Sequence, residues 1–449
     1  TEQAPVGRRS NDNFRFCDSE FIEAVMRIVV PDSLRALRSR NYRLFFMAQA
    51  ISLTGLWMHR VAMGWLVFRL TGLNSALGII DFAASISVFI FAPFAGALIE
   101  RWDLRKTLFC CQAGCMMVAF ILAFLTLTGL VTFHMVIFMS LLLGLLDAFE
   151  LPCRYSLVSY MVDRREDVPN GVALNSMNFN VARMIGPTIA GFAIHAVGEG
   201  VCFLINGFAY SSTLFAVKKM KMERPPIGKS DGSRSQPLKD TAEGFRMARN
   251  FAPSRYLLML IASTGFFCFP SIVLMPAMAK SVLGGTSETL GFLLMGVAIG
   301  ALAGSFIMAS LKSSDRLYWW CTRACLAFGV SVVFFSLSGN IYAGIALAAP
   351  VGFCMVTSTI SCNTLLQSMV PAGNRSRIMA LYTMAILGIP PFGSLLSGRL
   401  ADHLGTDWAL FICGSISAVI AYYFLRKIDR IKDQISKALE DPEAVQWEN

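Results

Sequence analysis

Ionisable side chains stand inside long apolar stretches of this sequence, where a buried charge is costly and usually has a function. Asp147, Glu150 and Arg154 share one helix face, because they are spaced i, i+3 and i+7. The full set is Arg60, Asp81, Asp147, Glu150, Arg154, Arg183, Arg323 and Arg399, with His59 beside the first. A carboxylate in such a position can take up and release a proton, and an arginine can hold an anion.

The three buried carboxylates have alternative roles. For Glu150 we favour a static i, i+4 pair with Arg154 that holds helices together, rather than a proton-binding role. For Asp81 and Asp147 we favour a role in proton coupling or in substrate binding. Helices one, two, four and five are expected to bring these groups towards each other.

Arg60 and Arg183 could hold an anionic substrate or could only neutralise these acids, and both interpretations stay open. Aromatic and sulfur-containing side chains are candidates for an apolar binding surface, although lipid-facing or core packing is the plainer interpretation for each. These candidates are Trp57, Trp65, Phe149, Phe179, Tyr382 and Met384. The 35 Phe and 23 Met would suit a large hydrophobic cargo, but also any lipid-embedded helical protein.

The elements that carry these groups are apolar stretches long enough to cross a bilayer, which takes roughly 20 residues. Hydrophobic residues make up 55% of the 449-residue chain, its mean hydropathy is +0.57 and only 15% is charged. In a soluble protein, about a quarter of all residues are charged. We predict twelve spans, at 44–70, 76–99, 107–130, 132–161, 170–197, 199–217, 255–278, 286–311, 317–338, 341–370, 378–404 and 407–425. The predicted fold is therefore an all-α polytopic membrane protein with two six-helix bundles.

Positive charge is concentrated on one side of these spans. Most of the 39 Lys and Arg lie before residue 44, in the loops after even-numbered spans, and after residue 425. The positive-inside rule then places both termini in the cytoplasm. The net charge of +10 reflects this topology and anionic lipid headgroups, and no nucleic-acid motif accompanies it.

The domain organisation follows from the spans. It comprises a cytoplasmic segment 1–43, a bundle 44–217, a cytoplasmic linker 218–254, a bundle 255–425 and a cytoplasmic tail 426–449. The linker is expected to end in an amphipathic helix near 238–250, and the tail to form another near 428–439, both on the inner membrane surface. No cleavable signal peptide is expected, since the first forty residues lack a long apolar core.

The two halves resemble each other at a fixed offset. Glycines recur 207 residues apart in four pairs, and a fifth pair recurs at 208. These pairs are Gly186 and Gly393, Gly191 and Gly398, Gly198 and Gly405, Gly207 and Gly414, and Gly144 and Gly352. Glycines at equal spacing mark places where helices approach closely. A parallel repeat predicts a pseudo-two-fold axis along the membrane normal and a body that can rock about a central site.

A charged motif follows span two, with the sequence Gly96-Ala-Leu-Ile-Glu100-Arg101-Trp-Asp103-Leu-Arg105-Lys106. It resembles the major facilitator signature G-x-x-x-D-[RK]-x-G-x-[RK]-[RK], with Glu100 in place of Asp and Asp103 in place of Gly. A carboxylate facing the positive N-terminus of a neighbouring helix would form a gating latch. An ordinary positive loop is the alternative interpretation.

Further segments narrow the resemblance. They are Gly55-Leu-Trp57-Met-His59-Arg60-Val61-Ala62-Met-Gly64-Trp65-Leu66-Val67, Gly144-Leu-Leu-Asp147-Ala148-Phe149-Glu150-Leu-Pro152-Cys-Arg154, and Ala173-Leu174-Asn175-Ser176 followed by Phe179-Asn180-Val-Ala182-Arg183. Together they look like the transmembrane secretion effector branch of the major facilitator superfamily, which includes the enterobactin exporter and relatives grouped with drug:proton antiporters. The resemblance implies the major facilitator fold and a bacterial inner-membrane exporter.

Span five contains Gly186-Pro187-x-x-x-Gly191, which resembles the antiporter signature of this superfamily with one extra residue. Proline bends a helix, and glycine lets another helix come close. We favour a kink at this position, and whether the element indicates antiport stays open.

The resulting hypothesis is a proton-coupled exporter of a small amphipathic molecule, such as a siderophore or a drug-like compound. It would need no cofactor besides the proton gradient and no bound metal, and we expect a monomer. A transition-metal carrier using His59, Met58, Met135 and Met139 is one alternative, and a membrane sensor or scaffold is another. An enzyme is not expected, because no nucleophile–base constellation or nucleotide-binding loop is present.

Overall fold

The computed structural model describes residues 32–99, 102–220, 245–310 and 317–440, and these residues form helices without any strand. Twelve helices of at least twelve residues, α1 to α12, follow one another in this part of the chain. They are Arg40–Thr71, Asn74–Ile99, Leu104–Leu127, Phe133–Met161, Val168–Lys219, Ala252–Phe267, Ser287–Ser310, Leu317–Ser336, Ile341–Met369, Ala372–Thr383, Pro390–Leu404 and Thr406–Glu440. The predicted all-α membrane fold is confirmed.

These helices do not correspond one to one with the predicted spans. Ten helical stretches of the described residues are long and apolar enough to cross a bilayer. One of them contains α5, whose 52 residues would extend about 78 Å, more than twice the hydrocarbon thickness. Gly198 interrupts α5 with φ 81° and ψ 169°, at the boundary predicted between spans five and six. The count of twelve spans stays a prediction.

Prolines divide predicted spans seven and eleven. After α6 the chain continues as the short pieces Pro270–Val273, Met275–Ala277 and the π-helical Met278–Val282. Between α10 and α11 lies a second π-helical segment, Met384–Gly388. Each of these breaks adjoins a proline. Proline breaks a helix because it has no N–H to donate and because its ring clashes with the preceding turn.

The tail differs from the prediction. Helix α12 continues without a break from the last predicted span to Glu440, so residue 425 is not a boundary. Ile431 and Ile435 are buried in the same apolar cluster as Met247 and Phe251, at the end of the linker. The tail therefore packs against the protein, whereas we expected it on the membrane surface. Residues 1–31 and most of the predicted linker helix lie outside the described residues.

The matched glycines make equivalent contacts in the two halves. Gly144 lies against the carbonyl oxygen of Ala84 and joins α4 to α2, while Gly352 lies against that of Val297 and joins α9 to α7. Two other pairs behave alike: Gly186 meets α1 and Gly393 meets α6, and Gly207 meets Phe120 while Gly414 meets Gly329. Since lipid gives helices no hydrophobic reason to associate, such close backbone packing is what holds each half together.

A β-carbon added at Gly144, or at its counterpart Gly352 in the second half, should destabilise the protein. We expect Gly144→Ala and Gly352→Ala each to cost about 1–3 kcal/mol, because the new methyl group would overlap a backbone carbonyl. Gly339→Ala is the matched control, since nothing lies within 4 Å of its added β-carbon. Thermal unfolding of the detergent-solubilised variants measures the difference. Equal melting temperatures for all three would contradict the packing.

Candidate functional site

The two halves of the chain meet closely at one end of the bundle. Gly191 on α5 lies against the backbone of Gly291 on α7. A β-carbon at Gly398 on α11 would lie only 2.8 Å from the carbonyl oxygen of Asn74 on α2. We call this end, where α2 and α7 begin and α11 ends, the closed end. Glycine is required here because any larger residue would push the halves apart.

Asp402 reinforces the closed end. Its carboxylate accepts the backbone N–H of Asn74 at 2.5 Å and that of Ser75 at 3.1 Å, and so caps the N-terminus of α2 from the opposite half. The Thr406 hydroxyl donates to the Asn74 side chain at 3.1 Å. A negative charge at a helix N-terminus is favourable because it meets both unpaired N–H groups and the positive end of the helix dipole. This contact between the halves was not predicted from the sequence.

An ion pair between α1 and α4 lies further from the closed end. Arg60 Nη2 is 3.3 Å from Asp147 Oδ2, with the two side chains 49% and 18% exposed. One helical turn away on α1, Gly64 approaches Pro276 of the second half, so this face of α1 is directed at the second half. The exposure of Arg60 on that face indicates a cavity between the halves.

Trp57 contacts charged, aromatic and glycine residues at this site. The Arg60 guanidinium lies 5.1 Å from its ring centroid, and the Phe179 ring contacts it edge-on at 5.6 Å. Gly186 lies directly against its β-carbon. Arg183 shares a helix face with Phe179 and Gly186, so it belongs to the same surface. We call Trp57, Arg60, Asp147, Phe179 and Arg183 the central cluster.

Arg183 differs from Arg60 in its charged surroundings. Within the described residues, no carboxylate lies within salt-bridge distance of its guanidinium, whereas Arg60 is paired with Asp147. An arginine in the middle of a membrane-spanning helix is costly unless something compensates its charge. The central cluster can therefore accept an anionic group beside two aromatic rings.

Asp81 connects the central cluster to the second half. It lies one turn from Gly78, which packs directly against the backbone of Ser394 on α11. Its carboxyl group interacts electrostatically with Arg60 and with the Ser394 side chain. Arg60 therefore lies within the influence of two carboxylates, one on α4 and one at the contact between α2 and α11.

Glu150 and Arg154 lie apart from this cavity. Their side chains are only 6% and 4% exposed, and Arg154 Nη1 is 3.4 Å from Glu150 Oε1. Gln112 on α3 donates from Nε2 to the same Glu150 oxygen at 3.2 Å. This geometry joins α3 to α4 and fits the static pair that we favoured from the sequence.

The charged motif after α2 acts within the first half. Asp103 accepts the N–H groups of Arg105 and Lys106 at 3.0 and 3.2 Å, and thus caps its own helix, α3. Arg105 donates to the carbonyl oxygens of Val217 and Lys218, at the end of α5. The latch expected from the resemblance stays a prediction, because two residues of the motif are outside the described part of the chain. Gly96 lies in the last turn of α2, and Glu100 and Arg101 lie outside the described residues.

The remaining candidates from the sequence lie elsewhere. Trp65 and Tyr382 are buried in the apolar cores of the first and second halves, and the Tyr382 hydroxyl donates to the Thr359 carbonyl at 2.9 Å. Phe149 stacks on Trp102 at 5.9 Å, near the end of α2. Met384 opens the π-helical segment between α10 and α11.

Two further expectations concern helix shape and metal binding. Helix α5 passes through Pro187 with no non-helical residue there, and its interruption is at Gly198.

Arg399 is exposed near the end of α11. The buried His59 ring lies 4.8 Å from the Phe203 ring. Over the described ranges, no three His, Cys, Asp or Glu residues are grouped as a metal site would need.

A bundle of membrane-spanning helices in two related halves, with a charged and aromatic cluster on the first half, is the architecture of a membrane transporter. The chain belongs to the transmembrane secretion effector family, which matches residues 32–447, and it is not an enzyme. It is 23% identical to the staphyloferrin A transporter of Staphylococcus aureus, over 86% of this chain and 97% of that protein. It is 22% identical to the multidrug efflux pump Tap of Mycolicibacterium fortuitum, over 82% and 92%.

A solved structure has the same fold. A bacterial homologue of the human lysosomal transporter Spinster, in an inward-facing and unoccupied conformation, superposes with a TM-score of 0.65 at 13% identity. The match covers 91% of this chain and 99% of that one. The protein is thus a multi-pass membrane transporter of the major facilitator superfamily.

Replacing Asp402 should open the closed end. We expect Asp402→Ala to lengthen and broaden the distance between spin labels at Leu73 and Leu404, which are both exposed there. The physical reason is the loss of the cap on α2, which is about 1 kcal/mol of stabilisation between the halves. Asp407→Ala is the control, since no described hydrogen bond joins it to α2. Labels carried by unnatural amino acids leave the native cysteines unchanged. An unaltered distance distribution would refute the role of Asp402.

Proposed function

We propose that this transporter exports a small amphipathic molecule in exchange for protons, by alternating access to the central cluster. The observation that carries the proposal is the Arg60–Asp147 pair, in which Arg60 is half-exposed and lies over the Trp57 ring. Relatives named as a siderophore transporter and as a multidrug efflux pump support export of such a cargo. The cargo we propose has an aromatic or apolar body, an anionic group and a hydrogen-bond-donating or cationic group.

Each part of this cargo has a partner in the central cluster. The anionic group would pair with Arg183, whose charge is otherwise uncompensated, and a bidentate contact would orient it. The apolar body would lie against Trp57 and Phe179. The donor group would compete with a proton for the Asp147 carboxylate. Competition for one carboxylate is the simplest way to make proton uptake release the cargo.

Arg60 would transmit the protonation state of Asp147 to the contact between the halves. When Asp147 is ionised, Arg60 pairs with it; when a proton neutralises Asp147, Arg60 would shift its interaction towards Asp81, with which it also interacts electrostatically. Because Asp81 lies at the α2–α11 contact, a shift of Arg60 changes the electrostatics of the closed end. We further propose that both termini are cytoplasmic, that the membrane is the bacterial inner membrane, and that the transporter works as a monomer without a cofactor.

Neutralising Asp147 should abolish proton-driven transport. Everted vesicles energised by a pH gradient should accumulate rhodamine B, a fluorescent amphipathic zwitterion, and Asp147→Asn should reduce this to the level of vesicles without the protein. Glu166→Gln is the control, because Glu166 is an exposed carboxylate outside the long helices. If collapsing the pH gradient leaves accumulation by the wild-type protein unchanged, proton exchange is refuted.

Removing the charge of Arg183 should weaken only cargo that has an anionic group. We expect Arg183→Gln to raise the KM for rhodamine B at least about tenfold, since a hydrogen bond to a charged group contributes about 1.5–3 kcal/mol. Arg183→Lys should restore part of the affinity because it keeps the charge. The ethyl ester of rhodamine B, which lacks the carboxylate, is the matched probe. A similar rise in KM for acid and ester would contradict a direct contact with Arg183.

A further inference from the structure

A groove on the second half lies apart from the central cluster. It encloses about 450 Å³ between the beginning of α8 and the middle of α9. Its walls are mostly apolar or small side chains with a single charged residue, namely Trp319, Trp320, Arg323, Ala324, Phe353 and Thr357. Ala327 and Cys354 complete the lining. Positions 324 and 327 of α8 are alanines. Their side chains are too small to fill the groove, so it stays open.

Arg323 is the charged residue of this groove. It is exposed on a membrane-spanning helix, and its guanidinium lies 4.9 Å from the Trp319 ring centroid. In the described part of the chain, no carboxylate lies within 4 Å of it. The Trp319 ring attracts the cation but cannot neutralise its charge. A charge at such a position needs a counterion, and the described residues supply none.

The depth of Arg323 identifies where that counterion lies. It is six residues after Leu317, where α8 begins, which is about 9 Å along the helix axis. A long side chain at that depth can reach the headgroup region of the bilayer. Trp319 and Trp320 lie nearer the helix end, where tryptophan is enriched at the membrane interface. The anions available at this level are phospholipid phosphates.

We propose that this groove binds an anionic phospholipid. Arg323 pairs with the phosphate, the two tryptophans flank the headgroup, and one acyl chain lies along Ala324, Ala327 and Phe353. Charge complementarity at Arg323 and the apolar walls behind it both require a ligand with a negative head and a hydrocarbon tail. A soluble phosphate would satisfy only the first requirement.

Arg426 on α12 provides a matched comparison. It also lies over an aromatic ring, with its guanidinium 5.3 Å from the Tyr422 centroid. However, its Nε donates to the Tyr422 hydroxyl at 2.8 Å, so it has an oxygen acceptor within the protein. Arg426 is not among the residues that line the Arg323 groove. Comparing variants of Arg323 and Arg426 therefore distinguishes a specific lipid site from a general attraction between positive charge and membranes.

Native mass spectrometry of the purified protein tests the proposal. With equimolar phosphatidylglycerol and phosphatidylcholine of the same acyl chains, we expect the wild-type protein to retain phosphatidylglycerol preferentially. Arg323→Gln should reduce that retention at least about tenfold, and Arg323→Lys should keep most of it. Arg426→Gln should leave retention unchanged. Equal retention by Arg323→Gln and the wild type, or an equal loss with Arg426→Gln, would overturn the proposal.

A second measurement tests the tail and separates a lipid from a free phosphate. Ala327→Phe should displace the acyl chain and reduce phosphatidylglycerol retention, while its thermal unfolding in detergent should stay like that of the wild type. Glycerophosphoglycerol, the same headgroup without chains, should not compete at equal concentration. If the soluble headgroup competes as well as the lipid, or if Ala327→Phe retains lipid normally, the groove is not an acyl-chain site.

Discussion

Close contact between backbones is the constraint on which the rest of this structure depends. Within a bilayer, lipid tails are as apolar as leucine, so helices associate through packing and polar contacts rather than through the hydrophobic effect. The repeated glycines allow this packing inside each half, and Gly191 with Gly291 extends it between the halves. Because the halves touch so closely at the closed end, the space beside Arg60 is left between them, and charged groups there can be hydrated or can bind a solute.

The charged residues divide into two kinds according to their surroundings. Glu150 and Arg154 compensate each other in a buried position, and replacing one alone would leave an uncompensated charge. They therefore fix α3 against α4 and give little freedom for exchange of protons. Arg60 and Asp147 are paired as well, but the Arg60 side chain is half-exposed, so its guanidinium is accessible to a solute. The same pairing of residue types thus occurs in a buried position in one place and in a more exposed one in another, and only the exposed pair suits the proposed exchange of protons.

The sequence was informative where a feature depends on local chemistry, and less so where it depends on which helices become neighbours. The paired glycines, the break at Gly198 and the proximity of Arg60 to Asp147 follow from spacing and helix order. In contrast, Asp402 could be seen only as an acid at the end of a span, since its partner, the start of α2, is more than 300 residues away. Trp65 and Tyr382 were candidates for a binding surface, with packing as the plainer interpretation, because composition does not specify which face of a helix is buried. Asp103 replaced the signature glycine and became a helix cap, which aspartate favours.

The position of Arg60 suggests how a local protonation event could alter the whole molecule. A change of conformation needs an element with two arrangements whose balance a ligand can shift. Arg60 interacts with two carboxylates, Asp147 on α4 and Asp81 on α2. Only Asp81 belongs to the helix that Asp402 caps at the closed end. A proton on Asp147 would favour the second arrangement and place a positive charge at the α2–α11 contact, where Gly78 leaves no room for adjustment. Such a contact responds by remaining closed or by separating, because closely packed backbones do not deform gradually.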